Sequence, residues 1–205
     1  MPGCSLWLLP PSDSPIQLVL SDLVTTKIPS LFPELHNVVF EPHMTLTSEI
    51  TLPPDISGNK RAQRWLDDLP LPKKVNVDVC LESLDVGAQY FKKLILSVSK
   101  GPLETFGAHV RSTAVENGGM TAATSWVKET WAPHVSLMYA DIEVTAEKRQ
   151  EILQVVAEAG IRIEKQNVLL EDGKGDYSGW TGGRIALVET WKELRDWEVV
   201  AARAI

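Results

Sequence analysis

Cysteine is nearly absent from this chain of 205 residues, which contains only Cys4 and Cys80. Two thiols make no disulfide framework, so a packed core must hold the fold, and both read as reduced, buried strand residues. Long apolar runs are missing too. Nothing approaches the roughly 20 consecutive apolar residues of a membrane span. Basic residues are outnumbered, with 20 Lys and Arg against 27 Asp and Glu, for a net charge of −7. Long polyanions are bound by clustered cations that neutralise many phosphates, so a chain this acidic is expected to act on a small molecule. The stretch Met1 to Pro11 has no charged n-region and too short an apolar run for a secretory signal, so a cytosolic protein is expected.

Histidine is also scarce, and that makes its placement informative. Of four histidines, two lie in copies of one phrase, Pro42-His43-Met44-Thr45-Leu46 and Pro133-His134-Val135-Ser136-Leu137. At ordinary residue usage a single match to Pro-His-any-Ser/Thr-Leu occurs in on the order of a few chains per thousand of this length. Both phrases sit among β-formers, Val38 to Thr47 and Trp131 to Tyr139, with a proline that can begin a strand. Strand side chains alternate faces, so His43, Thr45 and Thr47 are expected on one face, and His134, Ser136 and Met138 likewise. Each imidazole then stands about 6.6 Å from its hydroxyl partner, a span that admits a tetrahedral phosphate. Two imidazoles with ordinary pKa values near neutrality can divide the work of hydrolysis, one taking a proton from water and the other giving one up. The hydroxyls can bind the equatorial oxygens of an in-line displacement. The scheme needs no metal and no cofactor.

With these motifs the chain resembles the two-histidine (2H) phosphoesterases, in which two halves of one domain each contribute a His-x-Thr/Ser motif. More narrowly it resembles the fungal 2′,3′-cyclic-nucleotide 3′-phosphodiesterases, relatives of the plant cyclic phosphodiesterases. The likeness is carried by Leu6-Trp7-Leu8-Leu9-Pro10-Pro11, by Phe40 to Ser48 and by Trp131 to Tyr139, and spans nearly the whole chain in order and length. It implies opening of a five-membered cyclic phosphate on the 3′ side to leave a 2′-phosphate. ADP-ribose 1″,2″-cyclic phosphate, a by-product of tRNA splicing, is implied as a natural substrate. It also implies His43 and His134 as the acid/base pair, Thr45 and Ser136 as phosphate binders, and Trp7 and Tyr139 as aromatic residues near the nucleotide. Tyr139 falls on the face opposite His134 under strict alternation, so a bulge or strand end must re-aim it. A monomer is expected, and the likeness to fungal members implies a Golgi association for which the chain shows no address.

A coarse pass reads one domain over residues 1–205, large enough to bury roughly 70% of its unfolded surface. Strands are expected at Leu6–Leu9, at both motifs, at Val75–Leu84, Tyr90–Val98, Ile161–Leu170 and Arg184–Trp191. Helices are expected at Pro15–Thr26, Asn59–Leu69 with Ser57 or Asn59 as cap, Leu103–Glu116, and from a Thr145 cap to Ala159. The order suggests an α+β fold, a two-fold duplication with an antiparallel sheet in each lobe, helices outside and a central cleft; the resemblance implies the same fold. Lys73-Lys74 and Lys92-Lys93 read as solvated strand ends, His36 and His109 as bystanders, and the glycine-rich Gly173 to Gly183 as a hairpin loop. Arg184 could reach a diphosphate. Two further readings of the repeat are open: buried structural histidines, or a fold that grips a cyclic phosphate without turning it over. A zinc hydrolase fits poorly, because each motif offers one ligand and lacks a second histidine at i+4. Which histidine is base and which is acid is not set by sequence.

Overall fold

The computed structural model describes residues 3–35, 38–53, 58–72, 77–163 and 176–205. Chain order is β1 (Cys4–Leu9), α1 (Pro15–Asp22), which passes through a π-helical turn into α2 (Ile28–Ser30), then β2 (Met44–Ile50) and α3 (Asn59–Asp68). Next come β3 (Asp78–Val86), β4 (Leu94–Val98), α4 (Glu104–Ala114), α5 (Met120–Glu129) and β5 (His134–Met138). The chain ends with α6 (Ala146–Glu158), β6 (Gly179–Thr181), β7 (Arg184–Val188) and β8 (Val199–Ala204). Local chemistry explains several boundaries. Ser14 caps α1 by accepting the Gln17 N–H, with Pro15 at the first position where its missing N–H costs nothing. Thr145 caps α6 through the Lys148 N–H, as the sequence predicts, and Gly160 follows its end at positive φ.

The strands form two antiparallel halves, β6-β3-β4-β5 and β2-β1-β7-β8, joined edge to edge between β5 and β2 into one eight-stranded sheet. The expected pair of sheets, one per lobe, is therefore present and continuous at the centre. The duplication is equally visible. β1-α1-β2 in one half matches β4-α4-α5-β5 in the other, and after each motif strand the chain crosses over, so that β3 lies beside β4 and β7 beside β1. Helices cover one face of this sheet: Leu6, Leu8, Met44, Leu46, Val135 and Leu137 join Ile16, Leu20, Phe106, Val110, Ile152 and Val156 in the main core. Trp7, Leu9, Ala186 and Val188 point to the other face. The alternation of β1 thus splits a wholly buried strand between core and cleft.

Several expectations are corrected. Val38 to Phe40 are not strand: Pro42 lacks the N–H that a ladder needs, Val39 is exposed, and β2 begins at Met44. Tyr90 to Lys92 form a 3₁₀ turn rather than the start of β4, closed by a Gly87 N–H to Lys93 carbonyl bond of 3.0 Å. Gly58 occupies the cap position of α3 with no side-chain bond, in place of Asn59; Ser57 lies outside the described residues. Helix α5 and strands β6 and β8 were not foreseen. Ile161 makes only an isolated bridge to Tyr177, and the rest of the strand expected to Leu170 is almost wholly outside the described residues, as are His36, Lys73-Lys74 and Gly173. The two thiols form no disulfide; Cys4 is buried and Cys80 half-buried. No helix among the described residues is long and apolar enough to cross a membrane.

One close approach links the helical layer to the motif strand. A Cβ on Gly107 of α4 would stand 2.8 Å from the Trp131 ring, and Trp131 Nε1 donates to the Thr45 carbonyl at 3.0 Å. Alanine is the better helix former by about 1 kcal/mol, but overpacking a buried site costs about 1–3 kcal/mol. Gly107→Ala is therefore expected to lower stability in urea denaturation, net, and to depress turnover by displacing Thr45; a stabilised variant would contradict this packing.

Candidate active site

The motifs meet at the seam between the halves. Met44 of β2 is in register with Val135 of β5, and the strands are antiparallel. Continuing that register by one residue each way sets His43 against Ser136 and Thr45 against His134, so each imidazole faces the hydroxyl of the other motif. All four side chains line one cleft of about 350 Å³.

Each histidine is oriented by the same local device. His43 Nδ1 is 2.7 Å from the Glu41 carbonyl, and His134 Nδ1 is 2.8 Å from the Ala132 carbonyl. A carbonyl only accepts, so Nδ1 carries the proton and Nε2 is left for chemistry. The intervening proline, with φ locked near −65°, fixes the link between carbonyl and imidazole. This gives Pro42 and Pro133 a role beyond starting a strand. Glu41 is itself tied down, its Oε1 accepting from Arg184 Nη2 at 2.9 Å. Arg184 thereby anchors the residue that holds His43.

The two imidazoles differ in setting. His43 is buried, with the Trp7 ring stacked on it at 3.6 Å between centroids and 8° between planes, and Phe40 edge-on at 6.1 Å. His134 is only half-buried. Burial lowers the His43 pKa to about 4 against the pull of the Glu41 carbonyl, with a smaller push from His134. His134 is lowered as well, by burial first and by Lys92, with the Ala132 carbonyl opposing. Trp7, expected to sit near the nucleotide, lines the cleft with one face covered by the His43 ring and is itself buried.

Tyr139 reaches the cleft by the bulge that its position demanded. The β4–β5 register passes from Ile95↔Ser136 to Leu94↔Met138, placing two β5 residues against one. Leu137 and Met138 consequently both enter the core, correcting the expected parity of Met138, and Tyr139, just past the strand end, lines the cleft. Its ring stacks on Phe40 at 4.1 Å, and burial pushes its phenol pKa up, so it remains a proton donor. The Ser136 hydroxyl, close by, donates to the Phe91 carbonyl at 3.2 Å.

Other cleft residues escaped sequence reasoning. Phe91, Lys92, Trp126, Trp131 and Trp197 all contribute to the lining, beside Thr47 on the face expected for it. Of the pair Lys92-Lys93, expected as a solvated strand end, Lys92 is half-buried and lines the cleft and Lys93 is buried. Arg111 is buried behind the wall: Nη1 donates to Thr47 Oγ1 at 3.3 Å and to the Ser48 carbonyl at 3.2 Å, Nε to Glu116, and the guanidinium lies 4.5 Å over Trp126. It also binds Glu49, whose φ of 66° is strained for a non-glycine residue. Nothing local marks an arginine in mid-helix for such a role; only the turn of α4 toward β2 brings it there.

Because burial is the main cause of the low His43 pKa, thinning the plate that covers it should raise that value. Trp7→Leu is expected to move the His43 titration from about 4 toward its ordinary 6.5, read by NMR, and to reduce turnover. An unchanged titration would show that Trp7 does not set this environment.

Comparisons with known proteins place the chain in a family. The chain matches the cyclic phosphodiesterase-like protein family over residues 1–205. A Neurospora crassa protein named 2′,3′-cyclic-nucleotide 3′-phosphodiesterase is 34% identical over 220 residues, covering 100% of both chains. One of the same name from Phaeosphaeria nodorum is 33% identical, again over 100% of both. Among solved structures, Escherichia coli LigT, crystallised with 3′-AMP, superposes with a TM-score of 0.52 at 11% identity, covering 100% of this chain and 97% of that one, which shows a shared 2H phosphoesterase fold. Matched along its whole length, and with its paired motifs meeting at one seam, the chain belongs to the cyclic phosphodiesterase-like protein family.

Proposed function

We propose that this protein hydrolyses nucleoside 2′,3′-cyclic phosphates to nucleoside 2′-phosphates. The observation that carries the reading is the crossed pairing at the seam, two imidazoles with Nδ1 satisfied by backbone and Nε2 free, each opposite the hydroxyl of the other motif. The names of the fungal relatives support the substrate class. His43, the more deeply buried and the less basic, is the proton acceptor; His134, half-buried, is the donor. In this scheme a water oxygen forms the new bond to phosphorus while His43 takes its proton. The bond from phosphorus to the 3′ oxygen breaks, and His134 protonates that oxygen. Thr45 and Ser136 donate to the equatorial oxygens as charge gathers there. Proton exchange with solvent resets the pair. ADP-ribose 1″,2″-cyclic phosphate is a proposed further substrate, its ring having the same chemistry.

Phosphorus NMR of the products from 2′,3′-cyclic AMP, run with EDTA present, tests the reading. Adenosine 2′-phosphate formed at an undiminished rate is expected. A 3′-phosphate product, or loss of activity restored by zinc, would overturn it, and tight binding without turnover would favour a non-catalytic binding protein.

Variants and pH make a second test. His43→Ala and His134→Ala should each lose ~10²–10⁴-fold in turnover, about 3–5 kcal/mol of barrier, while Thr45→Ala and Ser136→Ala lose roughly 10²-fold. For the free enzyme, kcat/KM should rise as His43 loses its proton near pH 4 and fall as His134 loses its own below 6.5. The bell therefore lies on the acid side of the neutral position that ordinary histidine values suggest. A pH-independent profile, or near-normal turnover in either histidine variant, would contradict the paired mechanism.

A further inference from the structure

The cleft differs in charge from the rest of the molecule. The chain carries a net −7, but none of the 17 residues lining the cleft is Asp or Glu. Apart from the two imidazoles, Lys92 is the lining group that carries positive charge. Lys27, Lys148 and Lys192 are paired with Asp22, Glu151 and Glu189, whereas Lys92, the one lysine that lines the cleft, makes no ion pair among the described residues. Its place is fixed. The Lys92 N–H donates to the Gln89 carbonyl at 3.0 Å, Gly87 holds Lys93 by a second backbone bond, and the preceding carbonyl of Phe91 accepts from Ser136. Gly87 admits no side chain because a Cβ would collide with the Lys92 carbonyl.

We propose that Lys92, with the neighbouring Gln89 amide, forms a second anion subsite that favours cyclic-phosphate substrates bearing a further phosphate on the 5′ side of the nucleoside. This rests on the cyclic phosphodiesterase reading and names the substrate class for the same site. The scissile phosphate already has two imidazoles and two hydroxyls as partners, so a further unpaired cation suits a second anion. The ammonium also works against the protonation of His134 that the reaction needs. A substrate phosphate on Lys92 cancels that opposition when the charged donor is required. Phe91, exposed, and the stacked Trp197 ring at 5.7 Å flank the subsite with apolar walls that strengthen the charge contact.

The test compares adenosine 2′,3′-cyclic phosphate with adenosine 5′-phosphate 2′,3′-cyclic phosphate at one pH, so that any shift in His134 cancels in the ratio of the two kcat/KM values. The wild type should prefer the 5′-phosphorylated substrate through KM. Lys92→Met should lower that preference about 10-fold, the size of one charge-assisted hydrogen bond, and Lys92→Arg should retain it. Equal losses on both substrates would overturn the proposal by showing that Lys92 serves the cyclic phosphate, and so would a wild type without preference. If neither substrate is hydrolysed, the catalytic reading is what has failed. Calorimetry then decides the subsite: tighter binding of adenosine 5′-phosphate than of adenosine, lost in Lys92→Met, sustains it, and equal binding removes it.

Discussion

Two half-sheets meet along one short edge, and the meeting of the two motifs depends on that register. Because β2 and β5 run antiparallel with Met44 opposite Val135, each histidine is brought to the other motif's hydroxyl. A slip of one residue would turn His43, Thr45 and Thr47 into the core and Met44 and Leu46 into the cleft. The register is guarded from both sides. Met44, Leu46, Val135 and Leu137 are buried among the helices, and Trp131, just before β5, donates its indole N–H to the Thr45 carbonyl of β2. The seam is therefore a hydrophobic constraint that sets which side chains face the cleft.

Electrostatics then separates two chemically identical groups. Both imidazoles donate Nδ1–H to a carbonyl two residues back, so tautomer and ring orientation are the same. What differs is cover. Trp7 lies flat on His43 and Phe40 stands beside it, whereas His134 is more open and shares its surroundings with Lys92. Desolvation disfavours the charged form, which keeps His43 neutral, as the role proposed for it requires. The aromatic residues thus pack first on other rings of the cleft: Trp7 covers His43, and Phe40 backs Tyr139.

Much of this was legible in the sequence where a rule of short range applies. Strict alternation placed His43 and Thr45 together, Thr145 and Gly160 marked both ends of α6, and the repeated phrase revealed the duplication. Tyr139 shows where such rules stop: its parity conflict pointed to a bulge or strand end, and both are found, but the same bulge defeats the parity of Met138. Helix α5 was missed because Gly118-Gly119 reads as a terminus and the threonines and serine that follow dilute the helical pattern. Lys92 and Arg111 could not be placed, because their roles depend on which turn of chain packs beside which strand. Nothing within ten residues of either records that.

The most direct test of the account is the protonation of the two imidazoles, and a chain with four histidines makes the spectrum tractable. Nitrogen-15 NMR of histidine-labelled protein should show His43 and His134 at neutral pH with the proton on Nδ1 and a bare Nε2. His43 should keep that neutral form until about pH 4, while His134 becomes protonated at higher pH, still below 6.5. Protons on Nε2, or a His43 that titrates at an ordinary value, would contradict the division of labour proposed for the pair.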